Sequence, residues 1–181
     1  MSIPPVPSVA SRVARAVRDV PDFPSPGILF KDITPVLADP DLMRAVIREM
    51  TGRFEADPPT HIVGIESRGF LFAMPLALAL GVPFAPARKP GKLPWRTRRE
   101  AYVLEYRQDV LEMHEDALGA GGAEVLVVDD VLATGGTAAA TCRLVEALGG
   151  RVIGIQVLIE LASLGGRSRL PGLDVHAVLT A

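Results

Sequence analysis

Val9, Val13, Val17 and Val20 recur at near-helical spacing, which predicts a short amphipathic helix close to the start of the chain. The next stretch, PDFPSPGILFKDITP, has no such period, because Pro21, Pro24, Pro26, Gly27 and Pro35 forbid regular helix. At Asp39 the pattern changes again. Asp39 suits an N-cap, Pro40 suits the first turn, and Leu42, Met43, Val46, Ile47 and Met50 form one apolar face. HIVGIE reads as a buried strand ending in charge, SRGFLFAMPLALAL as a helix stopping near Gly81, and VPFAPA as another strand. The basic segment RKPGKLPWRTRRE follows, then AYVLEY and the acidic, amphipathic DVLEMHEDAL, which is read as helical with His114 on its polar face. VLVVDD is a further strand, and Thr141, Leu144, Val145 and Leu148 mark a helix that Gly149 and Gly150 end. RVIGIQVLIE and LDVHAVLT complete the set as strands.

Short apolar strands that alternate with helices imply an α/β fold, a parallel sheet covered on both faces. At 181 residues the chain is most economically one domain, without internal repeat or linker. Its Pro-rich front end is least like an α/β core and is expected to form a separate flap over it. The formal net charge of −2 argues against a nucleic-acid binder driven by bulk charge. Cys142 has no second cysteine to pair with, which fits a reducing compartment. The start lacks the continuous apolar run of a signal peptide, and GFLFAMPLALALGVPFAPA is interrupted by Pro75, Gly81 and Pro83 too often for a membrane span. The expected setting is soluble and cytoplasmic.

The candidate chemistry sits in VLVVDDVLATGGT, residues 125–137. In open α/β sheets ligands bind beyond the carboxyl ends of strands, often where a helix begins. Gly135 and Gly136 permit a tight turn with consecutive exposed N–H groups, and Thr134 and Thr137 add hydroxyl donors. With the helix N-terminus behind them they form a pocket suited to a phosphate. Asp129 and Asp130 would repel that phosphate, unless the ligand also carries hydroxyls for them to accept from. A sugar monophosphate has that layout. A nucleotide P-loop and a dinucleotide fingerprint both fail, since no Gly-Lys-Ser/Thr and no G-x-G-x-x-G follows the strand.

This run resembles the phosphoribosyl-pyrophosphate signature of type I phosphoribosyltransferases. Three more runs, DFPSPGILFKDITPVL, GIESRGFLF and RKPGKLP followed by LEY, resemble the adenine phosphoribosyltransferase family in particular. The match runs in the family's order from about Asp22 to LIELASLGGRSRL. The resemblance implies a single-domain type I fold, with a twisted, mainly parallel sheet flanked by helices. A small N-terminal hood would occupy about residues 1–36 and a flexible lid loop about residues 88–106. It implies transfer of a phosphoribosyl unit to adenine, giving AMP and pyrophosphate, with Mg²⁺ carried mainly by the substrate diphosphate. It also implies a homodimer.

Residue by residue, the resemblance places Ala133, Thr134, Gly135, Gly136 and Thr137 around the 5′-phosphate, with Asp129 and Asp130 on the ribose hydroxyls. Ser67, Arg68 and Gly69 would face the leaving pyrophosphate, joined by Arg88, Lys89 and Lys92 from the lid. Arg68 and Lys92 would assist catalysis, together with Glu105 near the base and reaction centre and Tyr106 beside it. Leu29, Phe30 and Lys31 would read adenine, and no protein metal ligand is assigned. One position departs from the family's EYG, where Arg107 replaces the glycine. His61, His114 and His176 lack metal-ligand spacing and are read as structural or solvated, and Cys142 as a small core residue. The alternatives are the same reaction on xanthine or hypoxanthine, and a non-catalytic regulator that senses phosphoribosyl pyrophosphate.

Overall fold

The structure is a computed structural model that describes residues 7–104 and 107–181, with 103, 104, 107 and 108 by backbone alone. Helix α1 (Val9–Ala16) starts where the Ser8 hydroxyl accepts the Ser11 N–H. It ends earlier than the valine spacing predicts. Val17 is already extended, and Val20 belongs to strand β1 (Arg18–Pro21). The reason is local pairing: β1 forms an antiparallel ribbon with β2 (Leu29–Asp32), and ladder hydrogen bonds take the groups a longer helix would use. Lys31 Nζ meets Asp19 at 2.7 Å across this ribbon, and Phe23 packs edge-on to Phe30 at 5.0 Å. After a single turn, α2 (Thr34–Leu37), helix α3 (Pro40–Gly52) begins as expected, with the Asp39 carboxylate accepting the N–H groups of Asp41 and Leu42 at 2.9 Å.

Strand β3 (His61–Ile65) leads into α4 (Phe70–Leu80), which Gly81 closes in the left-handed conformation, and β4 (Phe84–Ala87) follows. The segment read as a lid loop is, from Thr97 onward, half of a second ribbon: β5 (Thr97–Leu104) pairs antiparallel with β6 (Arg107–His114). His114 therefore ends a strand, which corrects the helical reading of DVLEMHEDAL. Leu111 and Met113 alternate inward at the strand period, and the β5 ladder selects that period over the helical one. Strand β7 (Glu124–Leu132), helix α5 (Gly136–Ala147), strand β8 (Arg151–Glu160) and strand β9 (Val175–Thr180) follow.

The central sheet has the order β4-β3-β7-β8-β9, and every pairing is parallel. One core lies between the sheet, α5 and the β5–β6 ribbon, and it includes Val127, Leu144 and buried Cys142. The other lies under α1, α3 and α4, built on residues such as Val13, Val46, Phe72 and Leu126. His61 and His176 stand on strands, as read from the sequence. The chain runs from β3 outward to β4, then returns to lay β7 on β3's other side and continues away through β8 and β9. Strand order thus reverses between β3 and β7, and a crevice opens beyond their carboxyl ends. Among the described residues no helix is long and apolar enough to cross a membrane.

Candidate active site

Two turns flank that crevice. After β7 the chain passes through Gly135, whose φ of +79° and missing β-carbon allow a backbone approach no other residue could make. Helix α5 begins at Gly136, so its N-terminal N–H groups face the crevice. After β3 come Glu66 and Ser67, joined by a cis peptide, then Arg68 and Gly69. A β-carbon on Gly69 would stand 2.6 Å from Ile65 O and 2.8 Å from Val128 O, so only glycine lets this turn lie flat on the neighbouring strand.

The aspartates of β7 lie between the turns. Arg68 Nε contacts Asp130 at 2.8 Å, and the Asp130 side chain is 7% exposed. The Arg68 guanidinium also lies 4.8 Å from the Phe30 ring centroid, so one cation joins the β3 turn, the β7 carboxylate and the β1–β2 ribbon. Asp129 accepts the Asp130 N–H at 2.8 Å. Burial, and then the adjacent Asp130 carboxylate, push Asp129 well above the usual carboxylate range. Burial also raises Asp130, against the opposing pull of Arg68.

This has a consequence for stability. A carboxyl whose folded pKa is raised contributes stability that is present at low pH and lost as pH rises through the folded value. Asp129→Asn keeps an oxygen acceptor and removes the charge. It is therefore expected to raise the melting temperature of the ligand-free protein near pH 8, with the gain vanishing toward about pH 4. Calorimetric scans across that range check it; a variant that melts below the wild type at every pH contradicts it.

Beside the crevice, Glu66 accepts Arg88 Nε at 3.2 Å, Arg88 Nη2 at 3.3 Å and the Lys89 N–H at 2.9 Å. Arg88 is thereby turned onto the protein. Glu112, 1% exposed, accepts the Gly91 N–H at 2.9 Å, Arg99 Nε at 3.1 Å and the Thr97 hydroxyl at 3.3 Å. Burial raises Glu112, but these three donors outweigh it and hold the carboxyl below its ordinary range. Two carboxylates thus anchor the segment that carries Lys89 and Lys92.

A cleft of about 1140 Å³ occupies the crevice. Leu29, Phe30 and Lys31 line it from the β1–β2 ribbon, Ser67 and Arg68 from the β3 turn, and Lys89 and Lys92 from the basic segment. Asp129, Asp130, Ala133, Thr134 and Thr137 line the β7 side. Gly69, Gly135 and Gly136 shape the turns without lining the cleft, and Arg88, held on Glu66, does not line it either. Glu105 and Tyr106 lie outside the described residues. Trp95 is 65% exposed, away from the lining. Tyr102, Asp109, Ser163 and Leu164 line the cleft without having been singled out in the sequence. Of these, Ser163 and Leu164 follow the end of β8, where the rule that sites lie beyond strand ends points; Tyr102 and Asp109 arrive only through ribbon pairing. Lys89 Nζ reaches Asp109 at 3.9 Å. Among the described residues no group of three His, Cys, Asp or Glu side chains could hold a metal. The carboxylates that line the cleft next to the glycine turn are those of Asp129 and Asp130.

The pattern for the phosphoribosyl transferase domain matches residues 33–171. The adenine phosphoribosyltransferase of Anaeromyxobacter dehalogenans (strain 2CP-C) is 55% identical over 168 residues, covering 93% of this chain and 97% of the relative. Among solved structures, the adenine phosphoribosyltransferase of Rhodothermus marinus DSM 4252 superposes with a TM-score of 0.91 at 52% identity, over 96% of this chain and 98% of that one. The Saccharomyces cerevisiae enzyme, complexed with D-2,5-dideoxy-2,5-imino-altritol 1,6-bisphosphate and adenine, gives a TM-score of 0.89 at 42% identity, over 94% and 98% of the two chains. With the signature strand, its glycine turn and the basic segment around one crevice, the chain belongs to the adenine phosphoribosyltransferase family.

Proposed function

We propose that the chain transfers a phosphoribosyl unit from phosphoribosyl pyrophosphate to adenine, giving AMP and pyrophosphate in purine salvage. The observation that carries the reading is that one cleft brings together a phosphate-suited turn, the paired carboxylates of Asp129 and Asp130, four cationic side chains and the aromatic face of Phe30. In the reaction a bond forms between adenine N9 and C1′ while the bond from C1′ to the pyrophosphate oxygen breaks, and the imidazole proton of adenine is released. Positive charge develops on the sugar and negative charge on the leaving group, so fixed charges of both signs are needed in a dry site.

Residues 133–137 would hold the 5′-phosphate through N–H and hydroxyl donors. Asp129 and Asp130 would accept the ribose hydroxyls and favour the cationic sugar. Arg68, Lys89 and Lys92, with Ser67, would offset the diphosphate charge. Phe30 offers a face for the purine to stack on, while Leu29 and Lys31 flank its edge. Glu105 would act at the base and reaction centre. Residues 1–36 serve as hood and the basic segment as lid, closing over the reacting sugar. Mg²⁺ bound to substrate oxygens would offset leaving-group charge, and the two aspartates are hard oxygen donors of the kind it takes.

The test is to incubate the protein with phosphoribosyl pyrophosphate, Mg²⁺ and each purine separately, and to follow nucleotide formation. AMP from adenine is expected. IMP or xanthosine monophosphate instead would move the reaction to a sister base, and binding of phosphoribosyl pyrophosphate without any nucleotide would favour the regulator. Glu105→Ala is expected to lower kcat by about a hundredfold or more with little change in phosphoribosyl-pyrophosphate affinity, read from steady-state rates beside a binding titration.

The same reading makes the protein a cytoplasmic homodimer. Leu71, Met74 and Leu78 form an apolar stripe at i, i+3 and i+7 on α4, exposed by 44%, 43% and 71%. Leu78→Glu is expected to halve the mass measured by light scattering after gel filtration. A wild type that runs as a monomer would remove the dimer from the proposal.

A further inference from the structure

Gly135 of the phosphate turn lies directly against the backbone of Gly166. A β-carbon on Gly135 would stand 2.3 Å from Gly166 O, and one on Gly166 would stand 2.3 Å from Ala133 O. The wall behind the turn is therefore the segment 161–167, with no side chain interposed, and the path of the turn depends on where that segment stands. Its first residue is tied to the signature strand, since the Leu161 N–H donates to Leu132 O at 2.9 Å. Its last is tied to the sheet. Arg167 donates through Nε and Nη2 to both carboxylate oxygens of Glu160, at 2.6 and 2.7 Å, and through Nη1 to Val175 O at 2.7 Å. Glu160 is the final residue of β8 and its side chain is 8% exposed. The two-pronged geometry fixes direction as well as distance. Neither side chain lines the cleft.

We propose that Glu160 and Arg167 are positioning residues for the phosphate turn. Their pair sets the place of Gly166, and Gly166 sets the direction in which the N–H groups of residues 134–137 point. A small displacement of such donors weakens every ligand with a phosphate at that turn. It leaves the opposite wall, built on the β3 turn and the basic segment, as it was. The inference rests on the phosphoribosyl reading of the cleft.

The experiment compares wild type, Glu160→Gln, Arg167→Lys and the double variant in calorimetric titrations with ribose 5-phosphate and, separately, with pyrophosphate. Each single variant is expected to weaken ribose 5-phosphate by roughly tenfold or more. Pyrophosphate affinity stays unchanged, and the double variant is no weaker than the worse single one, since both break one device. In turnover, KM for phosphoribosyl pyrophosphate rises while KM for adenine does not. Should Glu160→Gln fail to fold, Arg167→Lys keeps the charge and carries the comparison alone. Equal weakening of both ligands, no weakening of ribose 5-phosphate, or additive losses in the double variant overturn the positioning role. A wild type that binds neither ligand overturns the functional reading itself, and the proposal with it.

Discussion

Asp130→Ala is expected to lower kcat/KM for phosphoribosyl pyrophosphate by at least about a hundredfold, equivalent to about 2.7 kcal/mol of transition-state stabilisation. Two effects act together. The variant removes the proposed acceptor for a ribose hydroxyl, and it removes the 2.8 Å partner of Arg68. The guanidinium then loses one of its two anchors and keeps the ring of Phe30, 4.8 Å away, as the other. The effect should thus appear in both KM and kcat, because one residue serves binding and the placement of a cation. Steady-state kinetics with each substrate varied in turn provide the measurement. A variant that loses less than threefold would exclude Asp130 from the site.

Gly135→Ala should be worse for folding and no better for function. The residue sits at φ +79°, where a β-carbon costs about 1–2 kcal/mol. That carbon would also stand 2.3 Å from Gly166 O, so the glycine turn or the 161–167 segment must move. With both terms, a loss of roughly 3 kcal/mol corresponds to a melting temperature lowered by roughly 6–12 °C. Activity with phosphoribosyl pyrophosphate is expected to fall below detection while affinity for pyrophosphate persists. Thermal melts and the same titrations check both halves. An alanine variant with wild-type melting and turnover would show that the turn does not need glycine.

Most strands and helices were legible because their periods are strong and their ends are marked: Asp39 with Pro40 starts α3, and Gly81 stops α4. What failed was set by pairing between segments far apart or by competition between two periods. Val17 and Val20 continue a helical spacing, yet the ribbon with residues 29–32 claims the chain first. DVLEMHEDAL supports either period until β5 lies beside it. The candidate site divides in the same way. Aspartates and glycines that act within one short run could be read directly. The Arg68 contact to Asp130, Glu112 gathering three donors, and the wall at Gly166 join residues that no local pattern relates.

The reversal of strand order between β3 and β7 also acts as a ruler. The two turns that would receive the phosphate ends of one substrate leave from adjacent strands, hydrogen-bonded from His61 with Val125 to Gly64 with Val128. Their lateral offset is therefore one inter-strand spacing, about 4.8 Å, plus what each short turn adds. Loops can lengthen or drift, but a parallel ladder buried on both faces does not stretch. The distance between the two proposed anion seats would therefore be metred by the sheet rather than by a moving part.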